Sequence, residues 1–451
     1  MAHTRMYDDF ADTIVKAVSA RKGGFLLDCP PGAHHPRNIP LSWASGRLLF
    51  GWEPSGHFEV ADGSPACEPL DHLAACLDPP HESASIAVGY LSYDLGSLLE
   101  PKAASRHPAP PLPTASLALY ERHFEYDSST GELHVVEGGR TRVGRDTDYQ
   151  ELNAAARGAD AAVVGRAADE ILADFEPGAY IEAVAAAREY ILSGDIFEVN
   201  LSQRFTTRSW LPPWALYMRL RRLNPAPYAA FLNFPGYSIL SSSPELFLRV
   251  DGSGVITRPI KGTIARQEDQ VSDDLAAASL AASEKDNAEL AMIIDLERND
   301  LGRVCDYGSV VVRERARVET FARVHHLVST VEGRLCDGAG VKELLKATFP
   351  GGSITGAPKV RAMQIIDELE PLRRGIYTGS IGYLLPGGRA EFNIAIRTMI
   401  MRAGQVALQV GGAVTADSDP TAEYDETLAK ALGMLDALGL EGRLAQRGQP
   451  G

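Results

Sequence analysis

Gly194-Asp195-Ile196-Phe197-Glu198-Val199-Asn200-Leu201-Ser202-Gln203-Arg204-Phe205 is the stretch on which the fold turns. Before it, Ile181, Val184, Ala187 and Ile191 form a stripe at helical spacing that stops at Gly194, a residue suited to the left-handed position after a helix. Within it the period drops to two. Phe197, Val199, Leu201 and Phe205 alternate with Glu198, Asn200, Ser202 and Arg204. A helix therefore hands over to a strand with one polar face, turned either to solvent or inward.

The same reading predicts strands over 228–234, 237–243, 246–250, 379–384, 392–401 and 406–411. Helices are expected over 284–296, 341–347, 359–370 and 421–438. The two kinds of element mix without a strand-helix-strand rhythm, which points to an α+β fold with large, mainly antiparallel sheets. The first 145 residues are more irregular. Strands at 24–27 and 87–91 sit among Pro- and Gly-rich turns, Pro108, Pro110, Pro111 and Pro113 mark a connection, and 123–136 reads as a hairpin turning at Ser128-Ser129-Thr130-Gly131. From Arg145 to Asp174 alanine and charge dominate, so 146–177 reads as a surface helix and linker ahead of a main region over 178–440.

With 451 residues, 45% of them hydrophobic, the chain can bury a sizeable core. No apolar run reaches membrane-spanning length, and the start lacks the apolar region of a signal peptide, so a cytoplasmic location is expected. A net charge of −15 argues against nucleic acid or an anionic membrane as partner. The cysteines, Cys29, Cys67, Cys76, Cys305 and Cys336, are odd in number and lack zinc-type spacing.

Three features carry chemistry. In Arg258-Pro259-Ile260-Lys261-Gly262-Thr263, read as a turn, Pro259 fixes its φ and Gly262 opens the backbone beside a lysine. Such a lysine could hold an anion or attack carbon. Asp286 and Glu289 share one helical face; Glu423, Glu426 and Lys430 share another, beside a stripe of Tyr424, Leu428, Leu432 and Leu435. Asp419-Pro420 starts that last helix as cap and first residue. Carboxylate pairs facing one cavity would repel unless a cation joined them, and oxygen-only ligands suit Mg²⁺. Spacing alone does not show that the helices face each other. Finally, Phe349-Pro350-Gly351-Gly352-Ser353-Ile354-Thr355-Gly356-Ala357-Pro358-Lys359 is a Gly-rich turn into a helix, where backbone N–H groups could bind an anion. Pro358 before the lysine breaks the Walker A order.

Taken together with Ser243-Pro244-Glu245, Asp295-Leu296-Glu297-Arg298-Asn299-Asp300-Leu301-Gly302-Arg303, His325-His326-Leu327-Val328-Ser329 and Asp417 to Lys430, these stretches resemble the chorismate-utilising enzymes. The likeness runs from about Ala179 to Leu438. It implies a two-sheet antiparallel β-sandwich flanked by helices. It implies Mg²⁺ bound by Glu289 and Glu426 with Asp286 and Glu423 in support, neutralising the ring carboxylate of chorismate. Arg397, on the less apolar face of its strand, would grip the enolpyruvyl carboxylate in a fork. Tyr377, Gly262, Thr263, Gly412 and Lys430 are further substrate contacts by similarity, and His326 matches a histidine near the ring carboxylate.

Lys261 resembles the branch that forms 4-amino-4-deoxychorismate, component I of aminodeoxychorismate synthase. There the lysine attacks C2 while a glutamate matching Glu245 protonates the departing C4 hydroxyl, and ammonia then displaces the lysine by attack at C4. A free lysine is less than about one part in a thousand neutral at pH 7. Burial and a nearby metal would lower its pKa, and Glu245 needs the opposite shift. Anthranilate synthases normally carry alanine in place of Lys261. Isochorismate and salicylate synthases normally carry lysine where this chain has Glu198, and the family usually has glutamine there. Glu198 could hold Lys261 in a salt bridge or polarise water. The tryptophan-binding signature of feedback-regulated relatives has only loose counterparts, at Phe25 to Cys29 and Gly46 to Gly51. A catalytically silent partner-binding subunit would not need Lys261, Glu245 and both carboxylate pairs. The resemblance also implies ammonia from a separate glutamine amidotransferase subunit, since no second domain with a cysteine nucleophile is found, and a product destined for para-aminobenzoate, folate or a related pathway.

Overall fold

A computed structural model describes residues 2–30, 46–61, 86–157, 170–321 and 323–440; Cys67 and Cys76 lie outside them. Among the described residues, Cys29, Cys305 and Cys336 are free thiols. No helix there is long and apolar enough to cross a membrane.

Among the described residues, two antiparallel sheets form the fold. The larger has 12 strands and runs from Gly356–Ala357 through Glu198–Arg208, Gln405–Val414, Thr398–Arg402, Tyr237–Ser243 and Tyr228–Phe234 to Gly24–Cys29 and its neighbours. The other has 10 strands and includes Ile260–Ala265, Val324–Arg334, Leu246–Asp251, Ser380–Leu385 and Ile86–Leu91. Between them lies an apolar layer drawn from both, with Phe25, Leu27, Val88, Tyr90, Tyr228, Leu232, Ile239 and Tyr383 all buried. The irregular first third thus places strands in both sheets. Its hairpin forms as expected, Arg122–Asp127 pairing with Glu132–Glu137.

Most expected elements form, with three corrections. Of the two sides left open for the polar face of Glu198–Arg208, the structure takes the inward one, with Glu198, Asn200 and Ser202 buried. The expected single strand over 392–401 is two, Arg389–Asn393 and Thr398–Arg402, in different sheets. The stripe of the last helix, Pro420–Leu438, is rotated: Thr427, Ala431, Met434 and Leu435 are buried while Leu432 is 49% exposed. Helix Asp146–Arg157 is not purely a surface element. It packs on helix Ala2–Ser19 and buries Leu152, because two small-residue faces, with Ala17, Ala155 and Ala156, meet there.

Helix Ala2–Ser19 is fastened by charge. Tyr7 donates to the buried Asp28 at 2.5 Å, the Arg221 guanidinium pairs with the same carboxylate, and Arg221 also reaches Asp8 at 2.9 Å. Removing one partner leaves a buried charge uncompensated. Asp28→Ala should therefore lower unfolding free energy by about 3 kcal/mol in urea titrations. A loss below about 1 kcal/mol would place the pair with surface ion pairs instead.

Candidate active site

Two crossings between the sheets stand side by side. Pro244 and Glu245 link Tyr237–Ser243 to Leu246–Asp251, and residues 394–397 return from Arg389–Asn393 to Thr398–Arg402. The Ile394 N–H donates to the Glu245 carbonyl at 3.0 Å, and Ser243 Oγ donates to the Ile394 carbonyl at 2.6 Å. Each crossing carries one candidate residue, Glu245 on the first and Arg397 on the second. Arg397 is therefore not on a strand face; it sits at φ 52, a left-handed conformation that non-glycine residues seldom hold. No Gly or Pro marks the break, so an unbroken apolar pattern conceals it.

Lys261 lies on a strand, Ile260–Ala265, instead of in a turn. Opposite Val324–Arg334, Lys261 faces Leu327 and Thr263 faces His326, so Gly262 is the extra residue of a bulge, at φ 69. A Cβ on Gly262 would come within 2.9 Å of the Asp286 carboxyl. The bulge re-aims its neighbours: Lys261 is buried, and Thr263 is exposed.

The Lys261 ammonium donates to Glu198 Oε1 at 2.5 Å. Burial works against its charge, yet Glu198 and Glu289 outweigh burial and raise its pKa. Without a metal Lys261 is thus held as a cation whose proton must be taken; the expected lowering rested on burial together with a nearby metal. Glu198 Oε2 is buried with no hydrogen-bond partner. Glu245 shifts in the direction the resemblance requires. Burial pushes its carboxyl up to about 7, against hydrogen bonds from Ser353 and the Ile260 N–H and the charge of Lys261. His326 is neutral, lowered to about 4 by burial and then by Arg397; its Nδ1 is 2.9 Å from Thr263 Oγ1.

The helices Glu284–Gly302 and Pro420–Leu438 supply the carboxylates. The charge of Lys285 acts on Glu289, Glu423 and Glu426, and that of Lys261 acts on Glu289 and Glu426. The two helices therefore share one space, which spacing could not show. Burial raises Glu289 to about 7 and also raises Glu423. For Glu426 burial is outweighed by Lys430, 2.7 Å away, and its pKa is lowered. Lys430 also donates to the Gly411 carbonyl at 2.9 Å, and the Arg397 guanidinium donates to the Lys430 carbonyl. A Cβ on Gly412 would meet Glu423 Oε2 at 2.9 Å. Tyr377 is buried, with the Arg374 guanidinium 5.9 Å from its ring centre.

Glu289 Oε1 and Glu423 Oε2 are buried oxygens without hydrogen-bond partners. Among the described residues, no three His, Cys, Asp or Glu side chains converge closely enough to enclose an ion. The two unpartnered carboxylate oxygens are hard donors of the kind Mg²⁺ takes.

At the end of the Gly-rich turn Lys359 is engaged by Asp300 at 2.5 Å and the Thr348 carbonyl at 2.6 Å. The turn also presents Ser353 to Glu245, at 2.7 Å. Sequence reasoning also missed Glu297, buried beside Glu245 and hydrogen-bonded by Thr257 at 3.0 Å. Only its place in the Asp295–Arg303 stretch signalled it.

A sequence profile for a family described as chorismate binding enzyme matches residues 35–436. Anthranilate synthase component 1 1 of Haloarcula marismortui is 42% identical over 369 residues, covering 78% of this chain and 75% of that one. Aminodeoxychorismate synthase component 1 of Bacillus subtilis is 40% identical over 361 residues, covering 78% and 77%. Among solved structures, anthranilate synthase component I from Streptococcus pneumoniae superposes with a TM-score of 0.75 at 30% identity, over 89% of this chain and 94% of that one.

Proposed function

Because the chain belongs to the family of chorismate binding enzymes, we propose that it converts chorismate and ammonia to 4-amino-4-deoxychorismate, as an aminodeoxychorismate synthase component I does. The observation that carries this reading is Lys261, buried at the bulge with Glu198 at 2.5 Å. Relatives named for the anthranilate and aminodeoxychorismate reactions are about as similar, at 42% and 40% identity, and Lys261 is the residue that supports the second reading.

Glu198 accepts the ammonium proton as Lys261 Nζ bonds to C2 of chorismate. The ring double bond shifts, the C4–O bond breaks, and the proton of Glu245 leaves with the hydroxyl as water. Ammonia then bonds to C4, the double bond shifts back, and the C2–N bond to Lys261 breaks. The ammonia's surplus proton returns to the carboxylates, restoring Glu245 and the lysine pair. Arg397, with Tyr377, Thr263, Gly262, Gly412 and Lys430, binds and orients the substrate, and neutral His326 supplies a hydrogen bond near the ring carboxylate. Mg²⁺ held by Glu289 and Glu426, with Asp286 and Glu423 in support, would neutralise that ring carboxylate.

Burial raises the thiol pKa of Cys29, of Cys305 (to about 11) and of Cys336. None of the three resembles the low-pKa nucleophile that glutamine hydrolysis needs. A separate amidotransferase subunit, which the family resemblance implies, belongs to the proposal. Chromatography of reactions with chorismate, Mg²⁺ and ammonium should show 4-amino-4-deoxychorismate, with glutamine left unconsumed by the chain alone. Anthranilate as the main product would overturn the proposed reaction. Glutamine use at a rate comparable with ammonia would overturn the partner.

A further inference from the structure

We propose that Ser353 is a positioning residue that fixes which oxygen of Glu245 delivers the proton to the leaving hydroxyl, a role that rests on the reaction proposed above. The turn that carries it is built for close approach. A Cβ on Gly351 would lie 2.8 Å from Ile394 Cδ1, and one on Gly352 would lie 2.7 Å from Leu296 Cδ2. A side chain at either position would have to shift Ile394 on one side or Leu296 of helix Glu284–Gly302 on the other. Thr355 Oγ1 closes the turn by donating to the Gly351 carbonyl at 2.7 Å. Ser353 is thereby held buried against Glu245.

Both donors to that carboxyl reach the same atom. Ser353 Oγ lies 2.7 Å from Glu245 Oε1, and the Ile260 N–H points to Oε1 from 3.4 Å. A backbone N–H only donates, so Oε1 is an acceptor there, and the rotatable serine hydroxyl takes the same sense. The acid proton then resides on Oε2, for which the described residues offer no hydrogen-bond partner. One oxygen is anchored and the other is free to deliver the proton. After delivery, the Ser353 hydroxyl stabilises the carboxylate that remains.

The charged and titratable groups facing Glu245 are Lys261, from the bulged strand, and Glu297, from helix Glu284–Gly302. Ser353→Ala leaves both in place, so its effect on the proton of Glu245 can be separated from theirs. Burial holds the Glu245 carboxyl at about 7 while the Ser353 hydrogen bond works downward. Losing that bond raises the pKa, and the alkaline limb of kcat/KM moves to higher pH.

The test compares Ser353→Ala and Ser353→Thr with the wild type, following chorismate consumption across pH. Ser353→Ala should lower kcat by about tenfold to a hundredfold, the usual scale for a hydrogen bond to a charged group. Its KM for chorismate should stay within about twofold, as for an interaction made in the transition state. The alkaline limb should move upward, and Ser353→Thr, which keeps the hydroxyl, should bring it back. An unmoved limb, or a loss confined to KM or thermal stability, would make Ser353 merely structural and overturn the proposal. Should Ser353→Ala not fold, Ser353→Cys, close in size but a weak donor, carries the same limb measurement. Product identity is read separately: a wild type that made anthranilate would refute the proposed reaction while the limb still tested the role of Ser353.

Discussion

Replacing Lys261 with alanine should end the formation of 4-amino-4-deoxychorismate, with a loss on the order of a thousandfold or more, as for a removed nucleophile. Placing nitrogen at C4 by way of C2 takes two displacements, and the first nucleophile must belong to the enzyme. With Lys261→Ala, Arg397 and Glu245 remain, but no covalent bond can form. Ammonia or water entering the vacated space should attack C2 directly and give 2-substituted products slowly. Wild-type protein incubated with chorismate alone should carry a lysine adduct visible by intact-protein mass spectrometry. Near wild-type amination by Lys261→Ala would make the lysine a binding cation only. The pH profile supplies an independent check. Glu245 acts while protonated and its carboxyl titrates at about 7, so kcat/KM should fall as pH rises through that value.

Removing Glu289 or Glu426 should abolish measurable turnover while leaving thermal unfolding nearly unchanged, because neither side chain belongs to the buried apolar faces of its helix. Excess EDTA should do the same to the wild type, and calorimetry should show Mg²⁺ binding that weakens in each variant. The sign of the pH effect follows from burial. Without a cation the Glu289 carboxyl titrates at about 7, so Mg²⁺ must displace a proton at lower pH. Affinity should drop roughly tenfold per pH unit below that value if a single proton is released. Full activity in excess EDTA would refute the assignment.

The fold class and most elements could be read from the sequence because hydrophobic period survives in helices such as Glu284–Gly302 and short apolar runs mark strands such as Tyr228–Phe234. Periodicity fails where the chain changes sheets. At Arg397 the apolar pattern runs straight through the crossing, and the left-handed residue that makes the break is an arginine, which no turn propensity marks. Lys261 was legible as a candidate from its glycine and proline neighbours, but not its charge state. That depends on Glu198, 63 residues earlier, arriving at 2.5 Å. Ser353 was hidden for the opposite reason. Its Gly-rich surroundings suggest an anion-binding turn, and the tight approach of those glycines to Ile394 and Leu296 shows only in three dimensions.

The paired crossings have a mechanical consequence. Glu245 and Arg397 occupy a seam stitched between the sheets by the Ser243–Ile394 and Ile394–Glu245 hydrogen bonds. Shear of one sheet over the other would displace the proposed acid and the proposed anion grip together, so both inherit the stiffness of the whole sandwich. The first third of the chain shares in that stiffness, because Gly24–Cys29 and Ile86–Leu91 continue the two sheets on either side of the common core. Trimming those strands would unpick the seam from its far end, far from any residue that touches substrate.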